Sequence, residues 1–306
     1  MIEMNRRQWL AGAGMMSGAA MLSSCMTTTG GSAATLPPGI QLWTVKEDAA
    51  RDYEGTLKEL ARIGYKRVEG AGWHGRTPAQ IRAALANAGL EMTSAHYGMQ
   101  DLIDRPQESL AFAKDVGARY VVASSPATRR KIDDKKPWGE AVKDAMTLAD
   151  WQWNAEEMEK IGQRARAMGL RFGYHNHSAE LVPYEGKIPL DEIVRLTNPR
   201  NVALELDIGW VAGAGHNPVD IIRQHARRIE LLHIKDLVTS ERVPGQMVKD
   251  ERTTVIGQGT LDWPAIFQAL RGSPVHSYFV EQEDPFTEPP LQAAAKSLAY
   301  MRTLNV

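Results

Sequence analysis

The sequence predicts an α/β domain of the (β/α)8 barrel class, preceded by an export segment and a tether. From Gly39 to the C-terminus, short β-branched or apolar runs alternate with amphipathic helical patterns. Eight such runs can be counted, and most of them close on an ionisable side chain. The 306 residues, 43% hydrophobic and 24% charged, suffice for one large domain or two small ones and exclude a disordered chain.

The N-terminal 25 residues read as an address. Arg6 and Arg7 precede a charge-free stretch from Trp9 to Leu22, which ends in Leu22, Ser23, Ser24 and Cys25. The arginine pair resembles a twin-arginine export signal, and Leu-Ser-Ser-Cys resembles a bacterial lipobox with Cys25 as the lipid-bearing residue. The apolar stretch falls short of the ~20 residues needed to cross a bilayer and is rich in Gly, Ser and Ala. The expectation is an exported protein on the periplasmic side, tied to the membrane by a lipid. Residues 26–38 have the small-residue and proline content of a flexible linker, and the barrel is expected over 39–306.

The expected strands are residues 40–45, 67–69, 91–96, 120–123, 171–175, 202–207, 229–234 and 278–281. Between them lie stretches such as TLKELARIG, PAQIRAALANAGL and SLAFAKDVGA, with apolar residues at helical spacing and glycine near the end. Repeated strand–helix units imply a parallel sheet with right-handed crossovers. A doubly wound open sheet shares this grammar, but no GxGxxG follows the first strand, so the barrel is preferred. Two connections are long: residues 124–153, with a dense charge run and then Trp151 and Trp153, and residues 237–262, with GQGT. Both follow strands, which in a barrel puts them on the catalytic face.

Lys and Arg total 36 against 37 Asp and Glu, so the net charge of -1 leaves no basic excess for a nucleic-acid backbone. One cysteine permits no internal disulfide and no multi-thiolate zinc site. Any metal is therefore expected on His, Asp and Glu.

Strand carboxyl ends converge in a barrel, so the residues closing each run matter most. They are Glu69, His96, His175 with Asn176, His177 and Glu180, then Asp207, His233 with Lys235 and Asp236, and Glu281. One of these alone reads as a cap or a satisfied core group. Several together are costly to bury unless a cation or substrate organises them. Two Glu, one Asp and one His suit a divalent ion, Mn2+ first, with Zn2+, Co2+ or Mg2+ as alternatives. Such an ion on adjacent carbonyl and hydroxyl oxygens acidifies the neighbouring C–H, and a carboxylate or His can then move that proton. Trp43, Trp73 and Trp210 offer apolar faces for sugar rings, or equally ordinary packing.

The segments GIQLWTV, GYKRVEGAG, YHNHSAEL, ALELDIGWVAGAGHNP, LLHIKD, GQGTLDW and FVEQED, in this order, resemble the xylose isomerase-like TIM barrel superfamily in its sugar phosphate isomerase/epimerase branch. The resemblance implies one divalent metal held by Glu180, Asp207, His233 and Glu281. In related epimerases the fifth-strand glutamate sits at the strand end itself, so His175 or His177 is the alternative to Glu180. The DNA-repair branch carries a second ligand His three residues after the sixth-strand Asp. This chain has Trp210 there and no histidine between His233 and His276, which argues against that branch.

The expected activity is that of a metal-dependent keto-sugar isomerase or epimerase acting by proton transfer next to a carbonyl. Glu180, Glu281 and His177 are the expected catalytic groups, with Trp43, Glu69, His96, His175, Trp210 and Lys235 around the substrate. The alternatives are a lyase that cleaves 3-keto-glycosides by β-elimination and a non-catalytic sugar-binding lipoprotein. The expected partner is a small sugar, not nucleic acid, and a homodimer is compatible with the surface.

Overall fold

The structure, a computed structural model, describes residues 36–304. The export and lipid-anchor motifs around Arg6, Arg7 and Cys25 lie outside the described residues. Among the described residues, no helix is long and apolar enough to cross a membrane.

Eight strands close into a barrel: β1 (Gly39–Gln41), β2 (Arg67–Ala71), β3 (Glu91–Gly98), β4 (Tyr120–Ser125), β5 (Arg171–His175), β6 (Val202–Asp207), β7 (Ile229–Ile234) and β8 (Ser277–Val280). Each pairs in parallel with its sequence neighbours, and β1 closes the ring against β8 through Gly39 opposite Phe279 and Ile40 opposite Val280. Helices such as Tyr53–Ile63, Pro78–Ala88, Pro106–Val116 and Leu148–Ala167 form the outer layer. Their ends carry local signals: Thr77 and Gln80 make a reciprocal capping box, and Gly64 and Gly89 take the left-handed conformation that stops a helix.

Two differences from the sequence expectation have physical causes. The first strand stops at Gln41 rather than at residue 45, because the Gln41 Oε1 accepts from the Trp43 backbone and starts a 3-10 turn, Leu42–Val45. The connection after β4 is also shorter than expected. Thr147 and Asp150 cap the helix Leu148–Ala167, so Trp151 is fully buried in its packing face and Trp153 lies on the same helix, neither on a loop.

Side-chain parity within the strands builds the site. Alternate residues of a strand share a face. Most of the apolar core lies between the strands and the helices, with Val68, Phe172, Leu206 and Ile234 among its members. A separate small cluster, Val122, Leu231 and Phe279 packed on Tyr120, contains one residue from each of three strands. Gly39 makes room for it, since a Cβ there would lie 2.7 Å from Phe279 Cδ1. Two residues further along β7 and β8 come His233 and Glu281. Two further again come Lys235 and Glu283. The apolar layer thus lies one step below the charged one. At the opposite end, Glu230 accepts from Tyr120 Oη at 2.9 Å and pairs with Arg171.

Candidate active site at the barrel mouth

Four carboxylates, Glu69, Glu205, Asp207 and Glu281, are buried together with His175, His233 and Lys235. Glu69 comes from β2, where Gln41 Nε2 donates to its Oε2 at 2.7 Å. The same oxygen lies 2.6 Å from His233 Nε2 and 3.0 Å from His96 Nε2. His96 in turn sits 2.6 Å from Glu205 Oε2. On its other side the His233 ring reaches Glu281 Oε2 at 2.7 Å. Lys235 Nζ lies 3.0 Å from Asp207 Oδ2, 3.0 Å from Glu281 Oε2 and 2.6 Å from Glu283 Oε1. The lysine fits because residue 209 is glycine: a Cβ there would stand 2.7 Å from Lys235 Cγ.

Burial and neighbouring charge set the protonation states. Burial opposes a charge on His96, but Glu69 and Glu205 outweigh it and hold the ring protonated up to about 9. His233 is likewise raised, against burial, by Glu205, Glu281 and Glu69. Lys235 stays charged despite burial through Asp207, Glu281 and Glu283. Burial pushes Asp207 up to about 6, with Lys235 and His233 working against it. His175 and His177 are driven well below the ordinary imidazole value, by burial first and then by nearby positive charge, so both rings are neutral at pH 7.

Among the described residues, two overlapping groups offer four ligand atoms within 4.8 Å of one another. One is His175, Asp207, His233 and Glu281; the other is His96, His175, Glu205 and His233. Buried polar atoms without a hydrogen-bond partner occur at the same place: Glu69 Oε1, Glu205 Oε1 and His175 Nδ1. Unsatisfied carboxylate oxygens beside neutral imidazole are the donor set a divalent cation requires. The residues therefore fit a metal. The first group offers two carboxylates to the second group's one and suits a hard cation better.

Three of the four expected ligands, Asp207, His233 and Glu281, come together here. Glu180 does not. It follows the end of β5 on a 3-10 turn, Ser178–Leu181, that leaves the strand's inward parity. Its Oε1 accepts from Tyr174 Oη at 2.6 Å, and burial pushes its carboxyl up to about 7. The position expected of Glu180 is filled by His175, the last residue of β5.

The remaining expected residues line the mouth. Trp43 is 46% exposed on the rim, with Lys46 Nζ 4.4 Å from its ring centroid. Trp73 packs on Phe112 at 4.6 Å. Trp210 donates its backbone N–H to Asp207 Oδ1 and lies under Lys235 at 4.2 Å. His177 stands between Trp210 and Trp138, its ring 4.2 Å from the latter. Asn176 Oδ1 accepts from the Asp207 backbone N–H, fixing β6 to the end of β5.

Asp236 serves the scaffold: its carboxylate accepts from the backbone N–H of Leu237, Gly257, Gly259 and Leu261 and from Trp263 Nε1. That explains the GQGTLDW segment as the other half of a loop staple. The reading of the sequence missed Glu205, Glu283, Gln41 and Trp138. Glu205 was visible in principle, because it precedes Asp207 by two on the same strand and shares its face.

Comparison with known proteins agrees with this geometry. Inosose dehydratase of Geobacillus thermodenitrificans (strain NG80-2) is 26% identical over 274 residues, covering 82% of this chain and 89% of that protein. The crystal structure of a sugar phosphate isomerase/epimerase from Parabacteroides distasonis ATCC 8503 superposes with a TM-score of 0.67 at 21% identity, covering 89% of this chain and 96% of that one. The IOLI protein, crystallised with a zinc atom, superposes with a TM-score of 0.60 at 18% identity over 87% of this chain and 98% of that one. The family model described as xylose isomerase-like TIM barrel matches residues 57–304, and the chain belongs to that family.

Proposed function

We propose that this chain is a metal-dependent enzyme that removes a proton next to the carbonyl of a keto-sugar or keto-polyol. The observation that carries the reading is the buried ring of carboxylates, imidazoles and one ammonium at the barrel mouth, with ligand atoms within 4.8 Å. His175, Asp207, His233 and Glu281 would hold the ion, which would polarise the carbonyl and so acidify the adjacent C–H. His233 must be neutral to ligate, so binding displaces a proton from it. Lys235, with Asp207 and Glu281 engaged elsewhere, then has donors for a substrate oxygen. His96, held charged between Glu69 and Glu205, fixes the far wall.

His177 is the proposed proton-moving group. Its ring is neutral at pH 7, its Nδ1 has no partner, and it faces the cavity beside the cluster. An unprotonated imidazole has a free lone pair with which to take a proton. The C–H bond breaks, its proton passes to the imidazole, and its electron pair forms a double bond to the carbonyl carbon as the C=O π pair moves onto the oxygen. In elimination the C=O bond re-forms, the double bond shifts between the α and β carbons, and the β oxygen substituent leaves with the proton held by the imidazolium, as water or an alcohol. In isomerisation or epimerisation the proton returns to carbon instead. The relatives named inosose dehydratase, at 23–26% identity over more than four fifths of this chain, favour elimination. Isomerisation or epimerisation is the second reading, favoured by the same donor set.

The test is incubation of the metal-loaded chain with keto-sugars in D2O. Solvent deuterium next to the carbonyl without a new chromophore supports isomerisation, whereas a conjugated carbonyl absorbance supports elimination. Neither signal with any keto-sugar or keto-cyclitol overturns the reading. On location, we propose export through Arg6 and Arg7 and lipidation at Cys25, supported by the order of those motifs at the start of the sequence.

A further inference from the structure

The mouth opens into two chambers, not one. The chamber that reaches the charged cluster, through His96, His175 and Glu281, has a volume of about 720 Å³ and aromatic walls at Trp43, Trp73 and Phe112. The other measures about 1080 Å³ and is bordered by Trp210, Met247, Glu140, Lys143 and Glu251. Three residues border both: Trp138, His177 and Glu283. Cavities of ~300–1,000 Å³ enclose a drug-sized ligand, so the first chamber alone accommodates a single sugar ring. A one-ring substrate leaves the second chamber without a role.

The second chamber has the composition of a sugar subsite. The Trp210 and His177 rings stack with an interplanar angle of 28°, and Trp138 continues the row. Trp210 Nε1 is buried without a partner at the inner wall of this chamber. Glu140, Lys143 and Glu251 supply acceptors and donors around the aromatic faces. An apolar platform ringed by charged hydrogen-bonding groups matches the two-sided character of a pyranose ring.

Resting on the keto-sugar reading of the cluster, we infer that the substrate carries two rings: a keto-sugar in the chamber beside the cluster, joined through oxygen to a second sugar seated against the exposed Trp138. The linking oxygen passes at the level of His177.

The experiment compares keto-disaccharides of glucose, in α-1,1, α-1,4 and β-1,4 linkage, with the matching keto-monosaccharide. The metal-loaded full chain is assayed for kcat/KM and for Kd by tryptophan fluorescence. Met247→Arg fills the second chamber, and Lys143→Glu, on an exposed helix position, replaces it if that variant does not fold. The expected result is a preference of tenfold or more for at least one keto-disaccharide in both readouts, falling to twofold or less in the variant. Equal values for one and two rings overturn the inference and leave the keto-sugar reading standing. A preference that survives the variant overturns the placement in this chamber. No binding and no turnover of any keto-sugar overturns both.

Discussion

Replacing Glu180 with glutamine separates the scaffold from the site. Burial lifts the Glu180 carboxyl from 4.5 to about 7, while in the unfolded chain it titrates normally. Between those values the folded protein holds a proton that the unfolded chain has released, so stability falls as pH rises through this window. The interval corresponds to ~3 kcal/mol, fully expressed above the folded value and absent below the unfolded one. Glutamine cannot ionise, yet its carbonyl still accepts from Tyr174 Oη. The variant's advantage in thermal midpoint over the parent is therefore expected to grow by roughly 6 °C from acid to mildly alkaline pH, taking ~2 °C per kcal/mol for a domain of this size. Differential scanning fluorimetry of both proteins across that range measures it. A difference that stays constant with pH refutes the buried-carboxyl argument. Metal content measured on the same samples is expected to be unchanged, and its loss in Glu180→Gln would restore Glu180 as a ligand.

Elemental analysis of Asp207→Ala and Glu205→Ala distinguishes the two ligand groups: Asp207→Ala is expected to lose the metal and Glu205→Ala to retain most of it, and the reverse pattern assigns the ion to the other group. Gly209→Ala forces a Cβ against the Lys235 stem, and kcat is expected to fall by 10-fold or more with the thermal midpoint lowered, as steady-state kinetics and scanning fluorimetry would show. Phe279→Ala empties the apolar layer of the barrel and is expected to cost about 3–5 kcal/mol in denaturant unfolding, since the side chain is fully buried; a loss below ~1 kcal/mol contradicts its place there. Lysine at both Arg6 and Arg7 is expected to hold the precursor inside the cell, and cell fractionation showing normal export removes the twin-arginine assignment.

The barrel was legible because its signals are local. Glycine at the helix ends, helical spacing of apolar residues and short β-branched runs each report on a few neighbouring residues. The strand-end rule then picked out Asp207, His233 and Glu281, which lie at or within one residue of a strand end and come together in the structure. Glu180 stands outside that cluster because the 3-10 turn after His177 ends the inward run of β5, and nothing local in the sequence marks that point. Glu205 was overlooked for the opposite reason, since it sits inside an apolar run, VALELD, rather than at its end. Trp138 enters the site only through tertiary folding of the connection after β4, and spacing carries no record of that.

The apolar layer of Val122, Leu231 and Phe279 has a consequence for isotopes. It separates the charged cluster from the Glu230 and Arg171 pair at the other end, so among the described residues no chain of hydrogen-bonded side chains runs down the axis. A hydron lifted from substrate can be traded with bulk solvent only through the mouth. The balance between label kept and label washed out therefore acts as a clock for how often that mouth is open to water during one turnover.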